Sequence, residues 1–243
     1  DVDSYPDWNT VGGGMTIDTD VDFVEIRNVE FYDNYAKQGG ALSAYGISGD
    51  SIYIKLENVV AHNNTGRSSA FGHIRASNLA PIQFEMVNCL IYENNALASL
   101  PNQTQDFGTV LFLGANANIN NTIFASITNC TFANNTFEIA HKSKGMLRVF
   151  NQTNAPSILN FTNNICYGNG IEEITSNNNA NVSQPFPTVN LNNNILENGL
   201  DLTPTLENAS LTSDPLFNSD YSLQQGSPAI DAGTTSVVML PST

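Results

Sequence analysis

Positive charge is scarce in this chain. Lys and Arg number 8 against 23 Asp and Glu, giving a net charge of −15 over 243 residues. Nucleic acid needs basic patches to meet its phosphates, so this balance excludes it as a partner and disfavours unaided contact with an anionic membrane surface. Charge of either sign is sparse, at 13%. No run of 18 apolar residues exists, so no transmembrane span is predicted. Asp1 to Thr10 has neither the basic region nor the apolar stretch of a signal peptide, and the chain is expected to be a mature product or a piece of something longer. With three cysteines, at least one is unpaired within the chain. A Gly-rich phosphate loop, a Cys/His spacing for zinc and a converging pair of inward-facing Asp residues for hydrolysis are all missing.

What the chain does have is repetition. The stretch VEIRNVEFYDN, Val24 to Asn34, returns with different side chains from Ile54, Phe84, Ala125, Asn160 and Val189. Aligned, the copies place Asn28, Asn58, Asn88, Asn129, Asn163 and Asn193 in one column, spaced 30, 30, 41, 34 and 30 residues apart. A second column, six residues on, reads Asn34, Asn64, Asn94, Asn135, Asn169 and then Gly199. Such a period with variable insertions marks a repeat architecture. Apolar residues alternate with polar ones before each asparagine (Val24 and Ile26, Ile54 and Leu56, Phe84 and Met86), so each unit opens with a period-2 strand. A strand, an asparagine corner, a second short strand and a Gly-rich third segment describe one turn of a parallel β-helix. Asparagine suits a corner because it tolerates left-handed backbone, and its amide can donate to the copy above and accept from the copy below. The first column is read as that ladder, and Asn88→Ala is expected to cost about 1–3 kcal/mol by leaving neighbouring amides unpaired.

The fold expected is therefore all-β: a right-handed parallel β-helix of about six to seven turns over 1–199, a C-terminal cap over 200–233 and a linker or tail over 234–243. Gly12-Gly13-Gly14-Met15 matches Gly39-Gly40-Ala41-Leu42, so the chain begins inside a turn. A glycine column is read through Gly72, Gly108 and Gly145. The longest insertion, 96–107, reads as an outward loop.

Four groups of residues are candidates for function. Tyr32, His62, Tyr92 and Tyr167 share an outward column, where aromatic faces can meet sugar rings or simply stack along the wall. Asp18, Asp20 and Asp22 alternate on one face and form either a solvated acidic edge or a weak calcium site; no other cofactor is implied. Arg75 and Arg148 follow Gly72 and Gly145, and with Lys144, His73, His141 and Lys142 they form either scattered surface charge or a basic patch for an acidic polymer. Cys89 and Cys130 fall in one column and are read as packed thiols, with a disulfide between them as the alternative. Nine Asn-X-Ser/Thr sequons occur, a number this Asn- and Thr-rich composition yields by itself.

Asp214-Pro215-Leu216-Phe217, Tyr221-Ser222-Leu223 and Gly226-Ser227-Pro228-Ala229-Ile230-Asp231-Ala232-Gly233 resemble the closing motif of bacterial secreted right-handed parallel β-helix proteins. The asparagine turns followed by Gly-Gly-Ala look like repeats of that superfamily, adhesin-type repeats included. The resemblance implies the fold and an extracellular or cell-surface setting within a larger chain. It implies two functions. One is a non-catalytic structural or adhesive module that contacts carbohydrate or a cell-surface component. The other is a polysaccharide lyase, with calcium or basic residues near the reaction, for which Arg75, Lys144 and Arg148 are the candidates.

Overall fold

The structure is a computed structural model that describes residues 10–18, 21–46, 51–76, 81–97, 108–115, 122–138, 145–151, 157–176 and 187–236. Every element among them is a β-strand. The strands stack into three parallel sheets, as a parallel β-helix requires. The leading sheet contains Phe23–Arg27, Ile52–Glu57, Ile82–Val87, Ile123–Thr128, Ile158–Thr162, Thr188–Asn192 and Leu206–Asn208. A middle sheet of short strands runs from Glu30–Tyr32 to Ile195–Leu196. The trailing sheet runs from Met15–Ile17 through Thr65–Ala76, Thr109–Ala115 and Gly145–Asn151 to Leu200–Asp201. The last strands of two sheets thus lie beyond Gly199, and the coil continues into the segment read as cap.

The repeat predicts the register because period-2 alternation leaves one choice of inward face. Ile54, Phe84, Ala125, Leu159 and Val189 are level with one another, as are Ile26, Leu56, Met86, Ile127, Phe161 and Leu191. Across the core, Phe31, Ala61, Ile91, Phe132, Cys166 and Leu196 line up in the middle sheet. Leu42, Gly72, Leu111, Leu147 and Ile174 do so in the trailing sheet. All of these are buried. Gly72 fills its place for lack of room: a Cβ there would lie 2.9 Å from Leu111 Cδ1. It is not in a column with Gly145, which is level with Thr109 and so with Ser69. A register shift between Thr109 and Leu111 separates the two glycines.

Each turn bends at two corners of the same construction. At the first, Asn28, Asn58, Asn88, Asn129, Asn163, Asn193 and finally Ala209 adopt positive φ between 52° and 56°. At the second, Asp33, Asn63, Glu93 and Asn134 do so at 51–54°. Left-handed backbone costs an ordinary residue roughly 1–2 kcal/mol and asparagine less. The residue after each corner then points inward, and there the two corners differ. After the second comes the column Asn34, Asn64, Asn94, Asn135 and Asn169. Asn34 Nδ2 donates to Asn64 Oδ1 at 2.9 Å, Asn64 to Asn94 at 2.9 Å, Asn94 to Asn135 at 3.0 Å and Asn135 to Asn169 at 3.0 Å. Each Oδ1 also takes the backbone N–H of the preceding asparagine. This is the buried ladder.

The column read as the ladder, from Asn28 to Asn193, is a different device. Its carboxamides lie outside the coil and pair with each other only at Asn58 to Asn28 and Asn163 to Asn129, both 3.1 Å, among the described residues. The physical reason is that a residue in the left-handed corner projects away from the coil while its successor projects into it. At the first corner those successors are Val29, Val59, Cys89, Cys130, Asn164 and Asn194. Cys89 N–H donates to Cys130 Sγ at 3.4 Å, and Cys130 N–H donates to Asn164 Oδ1 at 2.8 Å. All three cysteines are free and buried.

Candidate functional site

The outward aromatic column forms as the repeat predicts, but its faces are occupied. Tyr32 and His62 stack with centroids 5.6 Å apart and planes 8° from parallel; His62 and Tyr92 follow at 4.9 Å and 17°. The His62 ring is held by Glu30 Oε1 at 3.0 Å from Nε2. The next place in the column is Ala133, and Tyr167 comes after it. Tyr221, from the C-terminal segment, comes in at this level: its ring lies 4.8 Å from Tyr92, its hydroxyl donates to Glu93 Oε1 at 2.9 Å, and Asn134 Nδ2 donates to it at 3.0 Å. Rings that face one another along the axis do not offer those faces to a sugar; the outermost ring, Tyr32, remains 54% exposed. Tyr167 is separated from the stack by Ala133.

The basic residues do not form one wall. Arg75 is level with Gly114 and Phe150, whereas Arg148 is level with Phe112 and His73. They sit two places apart because Gly72 is level with Leu147, two residues beyond Gly145. Arg148 is 1% exposed, its guanidinium 6.0 Å from the Phe112 ring centroid and 5.5 Å from that of Phe150, and burial lowers its pKa to about 10. His73, stacked on Phe112 at 4.5 Å, is fully buried; burial first, then Arg75 and Arg148, push its pKa down to about 3. A neutral imidazole and an enclosed guanidinium are a packed layer on the sheet's outer face, not an open patch for a polyanion. Lys144, His141 and Lys142 lie outside the described residues.

Of the three aspartates, Asp20 also lies outside the described residues, while Asp18 and Asp22 are exposed. No group of three or more His, Cys, Asp or Glu side chains among the described residues is placed to hold a metal ion.

Sequence reasoning missed a buried carboxylate and a cleft. Glu173 is fully buried, accepts from Asn169 Nδ2 at 3.1 Å and Asn198 Nδ2 at 3.3 Å, and burial raises its pKa to about 7. The cleft lies where the C-terminal segment crosses the first corner. Thr234 N–H donates to Asn163 Oδ1 at 2.8 Å while Asn163 Nδ2 donates to Thr234 O at 2.9 Å, and Asn193 Nδ2 donates to Ala232 O at 2.8 Å. Gly233 lies against the Asn163 carboxamide: a Cβ there would be 3.3 Å from it. Beside these contacts a cavity of about 260 Å³ remains, walled by the corner residues on one side and by Leu223, Ala229 and Ala232 on the other. The signal for it was the corner column itself, whose outward amides were assigned to the ladder.

Comparison with protein-family models, with curated proteins and with solved structures finds no match.

Proposed function

We propose that this chain is a rigid, non-catalytic β-helix segment of a larger extracellular or cell-surface protein, with an adhesive role that includes contact with carbohydrate. The observation that carries the reading is the Asn34 to Asn169 ladder. It ties five successive turns together through buried amides, giving a stiff rod whose wall residues are largely spent on one another. The enclosed Arg148 and the offset of Arg75 speak against a lyase built on them. The extracellular setting rests on the resemblance of 214–233 to a closing motif of secreted β-helix proteins.

The test has two arms. Alginate, pectate and chondroitin sulfate are incubated with the chain, with and without calcium, and unsaturated products are followed in the ultraviolet. The same protein is applied to an immobilised glycan array. Array binding without product release is the expected result. Product release that disappears in Arg75→Ala overturns the reading in favour of a lyase.

A further inference from the structure

We infer that the cleft between the C-terminal segment and the first corner is a binding site for a single neutral sugar unit. The inference rests on the carbohydrate contact proposed above and gives it a place other than the tyrosine column.

The walls of the cleft decide the ligand's chemistry. None of the lining side chains carries a charge, so nothing there selects an anion or a cation. The polar groups are carboxamides stacked about 4.8 Å apart, one strand spacing. Asn163 spends both ends of its amide on Thr234. Asn193 spends Nδ2 on Ala232, and Asn129 accepts from Asn163 through Oδ1. What remains without a protein partner among the described residues is the Nδ2 donor of Asn129, the Oδ1 acceptor of Asn193 and the hydroxyl of Thr131. One donor, one acceptor and one group that does both match the hydroxyls of a sugar, each of which donates and accepts.

The carboxamides of Asn164 and Asn194 also line the cleft but donate into the coil, to Ile127 O and Phe161 O, and the other side chains are largely apolar, among them Ile165, Ile195, Leu223 and Ala229. Those surfaces suit the C–H face of a pyranose. At about 260 Å³ the cavity lies just below the range of small-molecule sites, roughly 300–1,000 Å³, and so takes one ring rather than an oligosaccharide. The amides are already fixed in place on left-handed corner backbone, Asn163 and Asn193 by hydrogen bonds to the C-terminal segment and Asn129 through Asn163. Preorganisation of this kind lowers the ordering cost of binding.

The test uses saturation-transfer NMR on the intact chain with D-galactose, D-mannose and N-acetyl-D-glucosamine, and D-galacturonic acid as a charged control. Folding of each variant is checked by its melting curve. At least one neutral sugar is expected to bind, with a tenfold or greater loss in Ala229→Leu, which fills the cavity, and in Asn129→Asp, which replaces the donor by a charge. Tyr32→Ala is expected to leave that binding unchanged. No binding of any neutral sugar, or binding that survives Ala229→Leu, overturns the site. Glycan-array binding that is lost in Tyr32→Ala but kept in Ala229→Leu overturns the cleft while leaving the adhesive reading intact, and an array with no binding overturns both.

Discussion

Asn169 Nδ2 donates to Glu173 Oε2 at 3.1 Å, and this contact ends the asparagine ladder. Where a sixth asparagine would stand the chain has Gly199, which offers no side-chain acceptor. Glu173 enters from the trailing side instead, with its own N–H donating to Gly199 O at 2.9 Å. A carboxyl placed there is shut away from water, and that burial holds it protonated up to about pH 7.

Stability should fall with pH as a result. Between the ordinary Glu value of 4.5 and about 7, the unfolded chain releases this proton while the folded chain keeps it, so rising pH favours unfolding. The loss begins near the lower value, is complete above the upper one, and is on the order of 3 kcal/mol. Glu173→Gln keeps a neutral acceptor at all pH. The two proteins should melt alike near pH 4.5, and the variant should be the more stable by pH 8. Melting curves that stay parallel across that range contradict the assignment.

The ring of Tyr221 fastens the C-terminal segment over Ala133. Tyr221→Ala removes an aromatic contact worth about 0.5–1.5 kcal/mol and leaves Glu93 and Asn134 without their shared partner. Faster proteolytic cleavage within 211–236, at a rate well above wild type, is the expected result, with the coil itself still folded by circular dichroism.

The thiols should be silent in the native state. Burial pushes the Cys130 and Cys166 thiols up, and all three sulfurs are enclosed. Reaction with a disulfide reagent should therefore track global unfolding in denaturant. A thiol that reacts at once in buffer would place it outside the core.

Much of this architecture was legible because its causes are local. Alternation set the inward faces, and Asn in left-handed backbone set the corners. The repeat points to the first column as the ladder because asparagine serves two purposes six residues apart, and the structure separates them. The distinguishing sign was present: the corner places at the second bend include Asp33 and Glu93, which demand solvent, whereas Asn34, Asn64, Asn94 and Asn135 each lead directly into a strand. The offset of Arg75 from Arg148 was not legible, since it depends on how the chain re-enters the sheet after a long insertion. Nor was the meeting of Tyr221 with Tyr92, a contact between a late segment and an early turn that no local pattern announces. Glu173 was hidden for the same reason: only stacking shows that the amide above it lacks an acceptor.

The coil is held by the second asparagine column and merely bent by the first. Asn94 donates to Ala61 O, Tyr92 O and Asn135 Oδ1 and accepts from Asn64, whereas the Asn88 carboxamide has no partner among the described residues. The most direct measurement is therefore the unfolding free energy of Asn94→Gly beside that of Asn88→Gly. Glycine satisfies the left-handed corner at Asn88, so that change should cost less than about 0.5 kcal/mol. At Asn94 it strands several buried groups at about 1–3 kcal/mol each, and a loss of at least about 3 kcal/mol is expected. Equal losses at the two positions, or a larger one at Asn88, would contradict the account.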